Sequence, residues 1–233
     1  MGNNLLDVEF LCVGLDGKPI IRDVSFLLKP GEICALIGHN GAGKSITMKS
    51  IMGLYKKTTG RICLNGFDQD KEIMKFKQQL TYIPEEPMVF PELTIRQHFL
   101  LYSTSYGVAE NDYQNKVDYY ARIFDLKDKL DEFPHNLSKG MRQKVNVISN
   151  LLVDTPLLLV DEPFIGLDIH ATQALQDELF QRKKRGLSIL LTSHLLDRIR
   201  ELCDRYVLLV NGAVKETGAI GQLKSIERRM THE

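Results

Sequence analysis

Gly38, Gly43, Lys44 and Ser45 stand in the string GHNGAGKS with the spacing G-x-x-x-x-G-K-S, directly after the apolar run Ile33-Cys34-Ala35-Leu36-Ile37. This is the pattern of a phosphate-binding loop. Glycines let backbone N–H groups close around nucleotide phosphates, and a helix that follows adds its positive N-terminal end. On this reading His39, Asn40, Gly41, Ala42 and Ile46 belong to the same cradle. Lys44 sets a charge on the β- and γ-phosphates, and the Ser45 hydroxyl ligates Mg2+. A Gly-rich turn with a chance lysine is the competing explanation, and it leaves the strand before, the helix after and the four fixed positions without a common cause.

A second site of chemistry follows the apolar run Leu157-Leu158-Leu159-Val160, which ends in Asp161-Glu162. The C-terminal end of such a strand opens onto the crevice where α/β folds bind ligands. Asp161 is placed to hold Mg2+, usually through water, and Glu162 to polarise the water that attacks a γ-phosphate. Alone, the two acids would read as a solvated strand end; beside a phosphate loop they read as catalytic. Ser138, with Gly140, opens a helix over 139–152 as an N-cap, and that N-terminus is a candidate second anion site. His194 follows the strand Ser188–Thr192. Its position suits a surface residue, or a donor to the γ-phosphate if the site needs one.

These positions demand a parallel sheet flanked by helices. Strands are expected at Val24–Leu28, Glu32–Ile37, Arg61–Leu64 and Leu80–Ile83, and a helix at Lys44–Leu54 with Met48, Ile51 and Met52 on one face. Phe10 is read as strand core. After Pro84, Pro87 and Pro91 the pattern is helical from Thr94 to Val153, with one stripe at Ile95, His98, Phe99 and Tyr102 and another at Met141, Val145, Ile148 and Leu152. Strands and helices alternate again after Pro156. The fold class is therefore α/β: a phosphate-loop, RecA-like core over residues 1–84 and 154–233, and an inserted helical subdomain over 85–153.

The 233 residues carry 30 basic and 30 acidic side chains, so no global field draws the chain to nucleic acid. Cys12, Cys34, Cys63 and Cys203 have no C-x-x-C spacing and read as reduced packing residues. The N-terminal MGNNLLDVEF is not patterned as a secretory signal, and no window approaches the roughly 18 apolar residues of a membrane span.

The ordered series GHNGAGKS, YIPEEP, LSKGM, LLLVDEP, GLD and TSH resembles the ATP-binding subunit of an ABC transporter, and covers nearly the whole chain. LSKGM separates that family from other phosphate-loop NTPases. The wording YIPEEPMVFPELT and VDEPFIGLD further resembles Ecs-type bacterial exporter ATPases. The resemblance implies a core with an antiparallel β subdomain, with ATP and Mg2+ as cofactors. It implies two subunits, as a homo- or heterodimer, sandwiching ATP head to tail so that Ser138 and Gly140 of one face the phosphate loop of the other. Asp168 then lies in the loop linking the sites, and His194 is the γ-phosphate switch. A polytopic membrane subunit on a separate chain receives the motion, which places the chain in the cytoplasm, peripheral to the inner face of the cell membrane.

The chain departs from the family pattern at three places. Glu85 replaces the usual glutamine; it can still ligate Mg2+, but adds negative charge near the phosphates. Lys139 and Met141 replace glycine and glutamine of the commonest signature string. Leu15 stands where an aromatic residue normally stacks on adenine, so weak base discrimination is expected. Met88, Val89 and Phe90, between Pro87 and Pro91, are expected in the groove that docks the membrane subunit. The rival reading is a soluble single-cassette ATPase acting on a protein assembly, such as iron–sulfur cluster biogenesis.

Overall fold

A computed structural model describes residues 4–15, 17–193 and 195–223. The chain opens with the antiparallel hairpin β1 (Leu6–Leu15) and β2 (Lys18–Leu28), then enters β3 (Ile33–Ile37) and α1 (Lys44–Ile51). Next come β4 (Thr59–Leu64), β5 (Phe67–Asp68), α2 (Ile73–Lys77) and β6 (Leu80–Ile83). A helical stretch follows: α3 (Ile95–Ser105), α4 (Glu110–Ile123) and α5 (Lys139–Leu151). The alternation resumes with β7 (Leu157–Asp161), α6 (Ile169–Lys184), β8 (Ser188–Thr192), α7 (Leu196–Leu202), β9 (Arg205–Val210) and β10 (Ala213–Ala219).

The strands form a 4-stranded antiparallel sheet, β2-β1-β4-β5, and a 6-stranded sheet, β10-β9-β3-β8-β7-β6. In the larger sheet β9, β3, β8, β7 and β6 are parallel, and β10 joins the edge antiparallel. Strands β3, β7 and β8 are buried at every position because both faces are covered. Side chains on a strand alternate faces. Ile33, Ala35 and Ile37 of β3, with Leu158 and Val160 of β7, enter one core with α3, α4, α5 and α6. Cys34, Leu36, Leu157 and Leu159 enter the other, against α1 and the antiparallel sheet. The helical stretch thus shares a continuous core with the parallel sheet.

Helix α5 is fastened at two points along its length. In its second turn, Lys144 Nζ pairs with Asp168 Oδ2 at 2.7 Å, just before α6. At its end the Arg182 guanidinium, 1% exposed on α6, donates to the carbonyls of Leu151 and Val153. Those carbonyls lack helical partners, and a cation there also complements the dipole. Glu178, itself bonded by Tyr120 Oη at 2.9 Å, balances the arginine charge.

Three expectations need correction. Phe10 is 66% exposed with φ 51, at a register shift between β1 and β2, so it is not strand core. The bulge turns its side chain outward. Helix α1 ends at Ile51 with Met52 as its C-cap, three residues short of Leu54. Of the stripe on α3, Ile95, His98 and Phe99 are buried, whereas Tyr102 is half-buried.

Candidate functional site

The adjacent parallel strands β3, β8, β7 and β6 all deliver loops from their C-terminal ends to one edge of the sheet. From β3 comes the glycine loop. Gly38 and Gly43 have φ 155 and φ 103. A Cβ on Gly38 would stand 2.4 Å from the Leu209 carbonyl oxygen, so the loop's entry admits no side chain. Among the described residues no side chain caps the start of α1, which leaves its first N–H groups directed at whatever occupies the loop. Lys44, 7% exposed, spans the mouth by donating to the carbonyls of Gly38 (2.9 Å) and His39 (3.3 Å). Burial lowers the Lys44 pKa, and the charges of Glu162, Asp161 and Glu85 act against that shift.

The loop borders a cavity of about 550 Å3 whose wall brings Lys44, Ser45, Glu85 and Glu162 together, with Ile46 and Ile165 at its side. Asn40, Gly41 and Gly43 complete the phosphate-loop wall. Asp161, 2% exposed, is fixed by two hydroxyls: Thr192 Oγ1 donates to Oδ1 at 2.7 Å and Tyr82 Oη to Oδ2 at 3.1 Å. The same Thr192 oxygen accepts the Glu162 N–H at 3.0 Å, so one threonine sets both acids. Glu162 is 5% exposed at φ 47, a left-handed conformation that costs energy for a residue with a side chain. Burial and then the Asp161 charge push the Tyr82 pKa up, so its phenol stays a donor. Tyr82 opens the string YIPEEP and Thr192 the string TSH, yet neither was given a role from sequence, and Lys144 lies outside those strings.

Ser138 caps α5 by accepting the Met141 N–H at 3.2 Å. Gly140 lies against the loop before α6, where a Cβ would meet the Gly166 carbonyl oxygen at 2.7 Å. Asp168 caps α6 through Ala171 N–H at 2.8 Å. Its carboxyl is held below the usual range, chiefly by the Lys144 hydrogen bond and then by the Ala171 N–H. Lys139 Nζ pairs with Glu86 Oε1 of its own chain at 2.8 Å, an exposed contact that contributes little to stability. Ser138, Gly140 and Asp168 do not line the cavity of the glycine loop. Leu15 ends β1 opposite Lys18 and does not line it either. His194 lies outside the described residues.

The site can hold a nucleoside phosphate by its backbone and Lys44, and activate water with Glu162. Comparison with known proteins gives the family. The family model described as ABC transporter matches residues 21–165. The ABC-type transporter ATP-binding protein EcsA of Bacillus subtilis (strain 168) is 38% identical over 223 residues, covering 95% of this chain and 90% of that protein. A solved structure described as the ATP-binding subunit of an ABC transporter is 39% identical with a TM-score of 0.90, covering 97% of this chain and 93% of its own. The fold is also that of the ATP-binding cassette MJ0796, solved as a post-hydrolysis dimer bound to ADP and Pi, at TM-score 0.82 and 19% identity. That match covers 92% of this chain and 98% of the MJ0796 chain.

Proposed function

The chain belongs to the ABC transporter family as an ATP-binding ATPase, and from that premise we propose that it pairs with a second ATP-binding subunit and drives a separate polytopic membrane subunit, as an exporter. The observation that carries the pairing is the separation, within one chain, of the glycine-loop cavity from Ser138 and Gly140. An uncapped helix start with three carboxylates nearby makes half a site. The start of α5, beside Gly166 and Asp168, supplies the other half when a second subunit turns it toward the γ-phosphate. ATP then favours the closed pair because it makes contacts there that the open subunits lack. His194, directly after β8, is the γ-phosphate donor in this reading.

Ser45, Asp161 and Glu85 offer oxygen donors, which suit Mg2+. The Tyr82 and Thr192 hydroxyls each occupy one lone pair of Asp161, so both carboxylate oxygens keep acceptor capacity toward a bound cation or its water. The residues fit the ion, whose chemistry is to neutralise charge on the β- and γ-phosphates. Residues 1–84 and 154–233 then serve as the nucleotide core, and 85–153 as the lobe that meets the membrane subunit. No helix among the described residues is long and apolar enough to cross a membrane. Placement on the cytoplasmic face follows from the membrane partner.

Met88 is 62% exposed and Phe90 52%, while Val89 packs against the core. Exposed apolar anchors of this kind mark an interface. The Val89→Ser, Phe90→Ser double variant is expected to bind ATP as the wild type does and to lose its membrane partner on purification from detergent-solubilised membranes. Retained co-purification and transport would place docking elsewhere. Recovery of a soluble scaffold in place of a polytopic protein, with the wild-type chain, would overturn the transport reading itself.

Leu15 predicts the second property of the site. An absent base stack removes about 1–3 kcal/mol of selectivity, leaving the phosphates to dominate binding. GTP is expected to compete within about tenfold of ATP, equivalent to about 1.4 kcal/mol. A preference for ATP above about a hundredfold in competition calorimetry would show that another residue reads the base.

A further inference from the structure

Residues 84–94 connect β6 to α3 through three prolines and no regular element. Such a segment has few backbone bonds of its own, yet Met88 and Phe90 stand out from it at fixed positions. The fixing group is His98, which is 1% exposed on α3. Its Nε2 accepts the Phe90 N–H at 2.6 Å, and its Nδ1 lies 3.0 Å from the Thr94 carbonyl oxygen. Only the tautomer with the proton on Nδ1 satisfies both, because the Phe90 N–H must meet a lone pair and the Thr94 carbonyl must meet a hydrogen.

The helix does not need this histidine as a cap. Thr94 and Gln97 already form a reciprocal capping box, with Gln97 N–H on Thr94 Oγ1 at 3.3 Å and Thr94 N–H on Gln97 Oε1 at 2.8 Å. The second ring nitrogen is therefore spent on the segment. The Phe90 ring also stacks on the His98 ring, with centroids 5.7 Å apart and 27° between planes. The Phe90 carbonyl accepts Leu93 N–H at 3.2 Å, so both backbone groups of Phe90 are engaged.

We propose that His98 is a positioning residue for the membrane partner: its buried, neutral ring fixes the backbone and ring of Phe90 so that Met88 and Phe90 are presented ready for docking. A surface arranged before the encounter avoids the ordering cost that a mobile segment would incur on binding. The proposal rests on the docking role given above to Met88–Phe90, and its test is built to separate the two.

His98→Gln keeps an acceptor near Nε2 and loses the ring; His98→Phe keeps a ring and loses the acceptor. In 15N-labelled wild-type subunit, His98 Nε2 is expected to appear unprotonated and the Phe90 amide proton to resonate at low field. That low-field position is retained in His98→Gln and lost in His98→Phe. ATP affinity of either variant stays within about twofold of wild type, whereas ATPase stimulation by the membrane partner falls about tenfold in His98→Phe and recovers to within about threefold in His98→Gln, a difference that corresponds to presentation and not to nucleotide binding. An unmoved Phe90 amide in His98→Phe, or full partner stimulation in it, overturns the proposal. Should His98→Phe fail to fold, a protonated Nε2 in the wild type, or a Phe90 amide shifted to the random-coil position in His98→Gln, overturns it equally. The docking role fails on a different result: an undiminished partner complex in the Val89→Ser, Phe90→Ser variant.

Discussion

Glu162→Gln is expected to stop ATP turnover while leaving ATP bound. The exchange preserves size, the bond that the residue 162 backbone N–H donates to Thr192 Oγ1 and the buried position of the side chain. What disappears is the basic carboxylate. A positioned general base contributes about 10²–10⁴-fold, so turnover should fall by at least about a hundredfold. Affinity for ATP should hold or rise, because the amide removes one negative charge from a wall that also carries Glu85. The variant should also accumulate as a closed pair with ATP, seen as a shift in elution volume that depends on nucleotide. Single-turnover phosphate release measures the chemical step directly. A loss smaller than about tenfold would show that another group activates the water.

Lys44→Ala is expected to abolish useful ATP binding, for two additive reasons. It removes the ammonium that reaches the β- and γ-phosphates, and hydrogen bonds to charged groups are worth about 1.5–3 kcal/mol each. It also leaves Glu162, Asp161 and Glu85, whose charges Lys44 senses, facing the phosphates without compensation. Together these predict a loss of at least about a hundredfold in affinity by calorimetry, or about 2.7 kcal/mol. The variant should remain folded, since among the described residues the Lys44 side chain donates only to the loop carbonyls of Gly38 and His39. Unchanged affinity in a folded variant would remove the glycine loop from the nucleotide site.

Much of this site was legible because its parts are local strings that end buried strands. GHNGAGKS follows β3 and Asp161-Glu162 closes β7, so neighbouring residue types announce both chemistry and place. Tyr82 and Thr192 begin the strings YIPEEP and TSH, but their roles were not legible in that way. Each is an ordinary strand residue, and only the parallel order β8-β7-β6 sets their hydroxyls on the two oxygens of Asp161. Lys144 was missed for a similar reason, since its partner Asp168 lies beyond β7 in the chain. Phe10 was misread because strict alternation assumes an unbroken ladder, and a register shift reverses the face of whatever follows it. The short elements β5 and α2, and the half-exposed β10, were invisible to periodicity because they bury too few apolar side chains to make a pattern.

The two fastenings of α5 onto α6 have a consequence for how the molecule melts. Helices of 13 and 16 residues, joined by Lys144 of the second turn of α5 to Asp168 at the start of α6 and by Arg182 to the carbonyls of Leu151 and Val153, cannot open independently. Opening either one strands a buried guanidinium or two carbonyls, so they form a single cooperative block in the sense of native-state exchange. Helix α4 joins that block through the Tyr120–Glu178 bond and through Lys116, which donates to the Leu152 carbonyl and pairs with Asp154 just past α5, and α3 packs Ile95 and Phe99 into the same core. Heat or denaturant is therefore expected to release α5 and α6 together, as one step of amide exchange.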